Sequence, residues 1–158
     1  MTILKMTRDV EAPGSPSRTS ASPSGFEIRP CTAPTQGLFD CITRAYRGQP
    51  DEDGDEALSL RKYFDGEYGA PLSTCSFAAY NEGVEIGASV LSAKPYGALV
   101  AFVFVDPTHW GQGLGAHLLA RSLEVLPGVT CGDTVELFVH ADATQARAIY
   151  ESLEFSYV

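Results

Sequence analysis

Residues 103–116 read V-F-V-D-P-T-H-W-G-Q-G-L-G-A. An apolar run ends there, glycines follow at 111, 113 and 115, and a helical pattern begins directly afterwards. Glycines at alternate positions let the backbone take positive φ and let a ligand come close. Successive N–H groups then converge at a helix amino terminus, an arrangement that binds a pyrophosphate without basic side chains. That suits a chain with 11 Lys+Arg against 20 Asp+Glu, a net charge of −9. Read as G-x-G-x-x-A, the loop (Gly111, Gly113, Ala116) also fits a dinucleotide fingerprint, with Asp133 about twenty residues on. Two features speak against that reading: residues 106–110 separate the strand from the glycines, and Asp133 precedes the next strand instead of ending it.

Outward from this loop, the pattern alternates between strand and helix. LVAFVFV at 99–105 is continuously apolar and rich in Val and Phe, which predicts a central strand covered on both faces. Upstream, 73–80 and 84–91 are strand-like around Asn81-Glu82-Gly83, a hairpin turn. Leu38, Phe39, Ile42 and Tyr46 predict a helix over 35–46, and Leu58, Leu60, Tyr63 and Phe64 a less regular one over 57–64. FEIR at 26–29 is a short strand ended by Pro30. Downstream, Leu118, Leu119, Leu123 and Leu126 share one side of a helix over 114–126, closed by Pro127-Gly128. TVELFV at 134–139 predicts another strand. Ala146, Ile149, Tyr150 and Leu153, at i, i+3, i+4 and i+7, predict a last helix over 143–153, with Asp142 and Gln145 as its capping box. The order of elements predicts an α/β (α+β) domain, a mixed sheet flanked by helices.

A chain of 158 residues is one domain by length. Pro, Gly and Ser fill ten of the thirteen positions 13–25, so residues 1–25 read as a disordered tail and 26–158 as the folded domain. No run approaches the ~18 apolar residues of a membrane span. Ile3, Leu4 and Met6, interrupted by Lys5, form no signal-peptide core. Cys31, Cys41, Cys75 and Cys131 lack the spacing of a zinc site or a disulfide framework. The expectation is a cytoplasmic protein without metal, membrane or nucleic-acid partners. The charge is uneven: residues 51–67 hold seven acids and two bases, −5 of the −9. Such a segment is either a solvated face or a patch that favours a cationic ligand.

The run V-D-P-x-x-x-G-Q-G-L-G, followed by L-F-V and then A-x-x-I-Y-E-S-L-E-F, resembles the GNAT superfamily of acyl-CoA-dependent N-acyltransferases. The resemblance implies acetyl-CoA as acyl donor and a small-molecule or peptide amine as acceptor, in a pocket beside the loop between the first two helices; that loop here holds Asp51–Glu56, so a cationic acceptor is expected. It places Val103, Phe104 and Val105 on the strand that pairs with the pantetheine arm and polarises the thioester carbonyl. It places Trp110, Gly111, Gln112, Gly113, Leu114 and Gly115 on the pyrophosphate loop, and Tyr150 as general acid for the departing thiolate. A phenol of pKa ≈ 10 is a fitting donor to a thiolate of similar basicity; on its apolar helix face and without the flanking motif, Tyr150 reads as a core tyrosine, and with the motif the functional reading leads.

Several positions depart from the family pattern. Trp110 replaces the usual Gln or Arg, Ala143 an Asn that orients the cofactor arm, and Glu154 a Gly. Phe138 stands where the ribosomal-protein acetyltransferases keep a catalytic Glu. No carboxylate lies within 99–105, where other members keep a general base; His140, Asp106 and Glu82, acting through water, are the alternatives. The usual C-terminal strand pair is not legible before Val158, which leaves 134–139 as a sheet edge. A second copy of the chain forming a homodimer, or residues 2–6 folding back as a strand, would cover it. The runner-up function is a non-catalytic acyl-CoA-binding or protein-interaction module, and a dinucleotide-binding oxidoreductase comes third.

Overall fold

The computed structural model describes residues 2–11 and 25–158. Along them run β1 (Ile3–Asp9), β2 (Glu27–Pro30), α1 (Gln36–Tyr46), α2 (Glu56–Phe64), β3 (Phe77–Asn81), β4 (Val84–Lys94), β5 (Gly97–Val105), α3 (Leu114–Val125), β6 (Thr134–His140), α4 (Thr144–Ser152) and β7 (Ser156–Tyr157). All the strands join one sheet in the order β2-β3-β4-β5-β6-β1-β7. Its neighbours are antiparallel except β5 and β6, which run parallel. The mixed sheet flanked by helices is therefore as expected. No helix among the described residues is long and apolar enough to cross a membrane.

Local chemistry sets the elements. Thr35 caps α1, its hydroxyl accepting the Leu38 N–H at 3.2 Å. The β3–β4 hairpin turns through Glu82 and Gly83, both at positive φ. Two helices lie on each face. Leu38, Phe39 and Ile42 of α1 and Leu60 and Tyr63 of α2 pack with Ala78, Ala88, Val90 and Phe104. On the other face Leu119 and Leu123 of α3 and Tyr150 of α4 pack with Met6, Leu91, Val100, Leu137 and Val139.

Four expectations need correction. Residues 73–75 form a 3-10 turn, so β3 starts at Phe77. Ala143 stands at the N-cap of α4 and makes no side-chain cap bond, so the Asp142–Gln145 capping box does not form.

The third correction concerns the tail. Ile3–Asp9 is not disordered but strand β1, paired with β6 from Ile3↔His140 to Asp9↔Thr134. Met6 and Arg8 point into the core with Val10, and an Arg8 guanidinium N–H donates to the Leu153 carbonyl at 2.7 Å. Period-2 alternation, not apolar content, makes this segment a strand. The rest of the expected tail, residues 1 and 12–24, lies outside the described residues. Fourth, the β6 edge is not open: β1 of the same chain covers it, and β7 pairs with β1 at Met6↔Tyr157 and Thr7↔Ser156. An exposed β6 edge therefore gives no reason for a homodimer.

Candidate active site

The site follows from how β5 and β6 part. They begin in tight contact: a Cβ on Gly97 would lie 2.1 Å from the Thr134 carbonyl oxygen, so only glycine fits. Their ladder holds from Gly97↔Thr134 to Leu99↔Glu136 and stops there. Just beyond, β5 carries an extra residue, Ala101, because Val90 and Leu91 of β4 pair with Phe102 and Val100. Such a bulge bends its strand. From there on, β5 and β6 wall a cavity of about 500 Å³, lined by Val100–Val105 on one side and Leu137–His140 on the other. The expectation of a strand covered on both faces holds in part: Leu99 is half-buried, and so are Ala101, Phe102, Val103 and Val105, which line this cavity.

The loop after β5 closes one end. Asp106 caps a 3-10 turn over Pro107–His109, accepting from the Thr108 N–H at 3.1 Å and the Thr108 hydroxyl at 2.8 Å. Arg44 of α1 donates to its other oxygen at 2.6 Å. Burial raises this carboxyl, but the Thr108 and Arg44 contacts outweigh it and hold Asp106 below the usual carboxylate range. His109 is held between Thr108 Oγ1, 2.9 Å from Nδ1, and Asn81 Nδ2, 3.3 Å from Nε2. Trp110 makes its own polar contact: its indole N–H donates to the Val105 carbonyl at 2.7 Å, clipping the loop to the end of β5.

Gly111 and Gly113 take φ of +81° and +75°, and nothing lies within 4 Å of where either Cβ would be. Gly113 is the N-cap of α3. The result is a cradle free of side chains in front of unsatisfied helix N–H groups. Trp110, Gly111, Gly113, Leu114 and Gly115 line the cavity; Gln112 does not, and is exposed. These residues fit an anionic pyrophosphate.

Tyr150 of α4 closes the site from the helix side. It packs edge-on to Phe155 in the core, 6.1 Å between centroids, and also lines the cavity. Its hydroxyl has no hydrogen-bond partner among the described residues, yet it is not sealed off: His117 Nε2 is the one buried side-chain polar atom left unpartnered among them. Burial, with the Asp51 charge nearby, pushes the phenol above its ordinary range, so it keeps its proton. Ala143 also lines the cavity.

Sequence reasoning did not bring Tyr46 to this cavity, but that residue lines it, as does Asp51 from the loop that the resemblance sets beside the acceptor pocket. Helical spacing marked Tyr46 only as a core position, and nothing in the sequence set Asp51 apart from the other acids of its loop. Burial raises both groups. Of the three candidate bases, Asp106 is engaged with Arg44 and Thr108, Glu82 sits exposed in the β3–β4 turn, and His140 lines the cavity. Asp133, needed by the dinucleotide reading, is not in the lining; its backbone N–H bonds to the Tyr96 carbonyl. No Lys or Arg lines the cavity among the described residues, and its rim carries the exposed apolar side chains Ile3, Trp110 and Phe138.

A family model described as the acetyltransferase (GNAT) family matches residues 36–155. The chain is 31% identical, over an alignment of 152 positions that covers 81% of its length, to a mycothiol acetyltransferase of Salinispora tropica. It spans about half (50%) of that curated relative. Among solved structures, a GCN5-related N-acetyltransferase from Sphaerobacter thermophilus matches 99% of this chain, with 48% of its own length, at a TM-score of 0.70 and 19% identity. The PaiA N-acetyltransferase of Thermoplasma acidophilum, in complex with coenzyme A, matches 80% of this chain and 87% of its own, at a TM-score of 0.60 and 17% identity. At these identities the two structures bear on the fold alone.

Proposed function

We propose, from the premise that this chain belongs to the GNAT acetyltransferase family, that it moves the acetyl group of acetyl-CoA onto the nitrogen of an amine that carries positive charge. The observation that supports this best is one cavity shared by the unpaired edge of β5, the glycine loop and the protonated phenol of Tyr150. Backbone N–H groups of Gly113, Leu114 and Gly115 receive the pyrophosphate. The open edge of β5 at Val103, Phe104 and Val105 receives the pantetheine arm and polarises the thioester carbonyl, and donors aimed at developing negative charge are worth several kcal/mol. Tyr150 gives its proton to the departing sulfur.

The charge of the acceptor is read from the lining. Asp51 lies in it without a Lys or Arg partner among the described residues. Glu56 is turned inward, its carboxylate accepting the N–H groups of Asp53 and Gly54 at 2.8 and 2.9 Å, and so shapes the loop that presents Asp51. Thiol release from acetyl-CoA, measured with spermidine, 2-phenylethylamine and a lysine-containing peptide, tests the reading. Tyr150→Phe is expected to lower kcat by about 10²-fold or more while CoA binding is retained. Binding of acetyl-CoA without turnover on any amine would make the chain an acyl-CoA-binding module instead.

A further inference from the structure

An ammonium cannot attack a carbonyl until it loses a proton, and the groups expected to take that proton are elsewhere or occupied. Asp106 accepts from Arg44 and from both donors of Thr108. Glu82 is outside the cavity. His140 is in it, but the Asp142 N–H donates to its Nδ1 at 3.1 Å, which uses that lone pair and puts the neutral ring's proton on Nε2. Asp142 itself lies at the rim, its side chain 79% exposed and 3.8 Å from the same nitrogen.

One carboxylate of the lining remains. We propose that Asp51 is the base of this site: it holds the acceptor's ammonium beside Tyr150 and takes the proton that must leave before the nitrogen can attack. This rests on the acetyl-transfer reading above. Asp51 lies in the loop between α1 and α2, half-buried, and walls the cavity together with Tyr46, Tyr150 and His140. Burial raises its carboxyl and Asp53 adds to the rise; its own backbone N–H acts the other way, as does His140 when that ring is charged. Burial above all, with the Asp51 charge added to it, keeps the neighbouring phenols of Tyr46 from α1 and Tyr150 from α4 protonated. A carboxylate so placed is a stronger base than an exposed one.

The step balances. The ammonium proton passes to Asp51, and the freed lone pair forms the C–N bond at the thioester carbon. The C–S bond breaks with its electron pair on sulfur, which takes the phenolic proton of Tyr150. Tyr150 recovers a proton from the nitrogen as the amide forms. Asp51 releases its own to water. One acetyl-CoA and one ammonium thus give one amide, one thiol and one solvent proton.

The test compares wild type with Asp51→Asn, using acetyl-CoA and a series of benzylamines and fluorinated phenylethylamines of falling basicity. In wild type, kcat rises with pH as Asp51 ionises, above the ordinary carboxyl value near 3.9. The variant is expected to lose that limb and about 10²-fold in kcat, with the melting shift caused by CoA unchanged. Its deficit should shrink at least tenfold for amines already neutral at the assay pH. A loss confined to KM for the amine, a deficit equal for all amines, or kcat within twofold of wild type overturns the proposal and leaves acetyl transfer standing. Turnover of no amine by wild type overturns both. Independently of turnover, carbon-13 titration in the CoA complex must place the Asp51 carboxyl above its ordinary value; a value at or below it overturns the assignment.

Discussion

At Asp106 a buried carboxylate is committed to structure. Two bonds from Thr108 and the Arg44 guanidinium satisfy it, and it pins the glycine loop to α1. Asp106→Ala leaves Arg44 without its partner and uncaps the turn, which costs roughly 2–3 kcal/mol. That corresponds to a fall in Tm of about 4–12 °C for a domain of this size. The sign with pH follows from the lowered folded value. The stabilisation is present above the ordinary carboxyl value and is lost as pH falls through the folded one. Thermal melts between pH 3 and 7 should therefore show wild type and variant converging at the acid end, and a constant difference would contradict the pairing. Trp110 marks a limit of sequence reading at this scale. From residue type alone it counts as a lost polar contact, whereas its indole N–H binds the Val105 carbonyl. The path of the loop decides that bond, and no spacing rule encodes the path.

At the scale of elements, β1 is where sequence and structure part most. Helices and strands whose periodicity is sustained were legible: α1 from Leu38, Phe39 and Ile42, β5 from its apolar run, α4 from Ile149, Tyr150 and Leu153. The alternation of Leu4, Met6 and Arg8 is short, and its partner β6 lies some 130 residues away in the chain, so nothing local separates it from a tail. Substitution separates the two. Met6 is fully buried, and Met6→Ala is expected to cost about 2–5 kcal/mol. Lys5, on the exposed face of the same strand, pairs with Glu136 at 3.0 Å, and its alanine variant should lose no more than about 1 kcal/mol. Urea denaturation of both variants measures this. A negligible effect of Met6→Ala would mean that residues 3–9 do not pair with β6 in solution. The same strand supplies Ile3 to the cavity rim, so a segment that reads as expendable takes part in shaping the site.

At the scale of the whole molecule the question is how a protein of net charge −9 would hold the anionic donor proposed for it. The cavity has no Lys or Arg in its lining among the described residues, and the fit to a pyrophosphate rests on backbone N–H groups at the start of α3. Those dipoles act at contact distance, where salt screens little, while the net charge repels the donor over a range that salt shortens to about 8 Å at physiological ionic strength. A cationic acceptor meets the opposite field, drawn in by the same net charge and by Asp51. The two substrates should therefore respond to salt in opposite directions. Between 50 and 500 mM NaCl, the Kd of CoA is expected to stay level or fall, and the KM of a polyamine acceptor such as spermidine to rise several-fold. Calorimetry for the first and steady-state kinetics for the second decide it. A CoA affinity that collapses with salt would mean that side-chain cations outside the cavity lining hold the phosphates. Indifference of spermidine to salt would remove the charge argument for the acceptor. The sequence shows the charge and the glycines separately; the opposition between them exists only once β5 and β6 part and put Asp51 and the α3 amino terminus on one cavity.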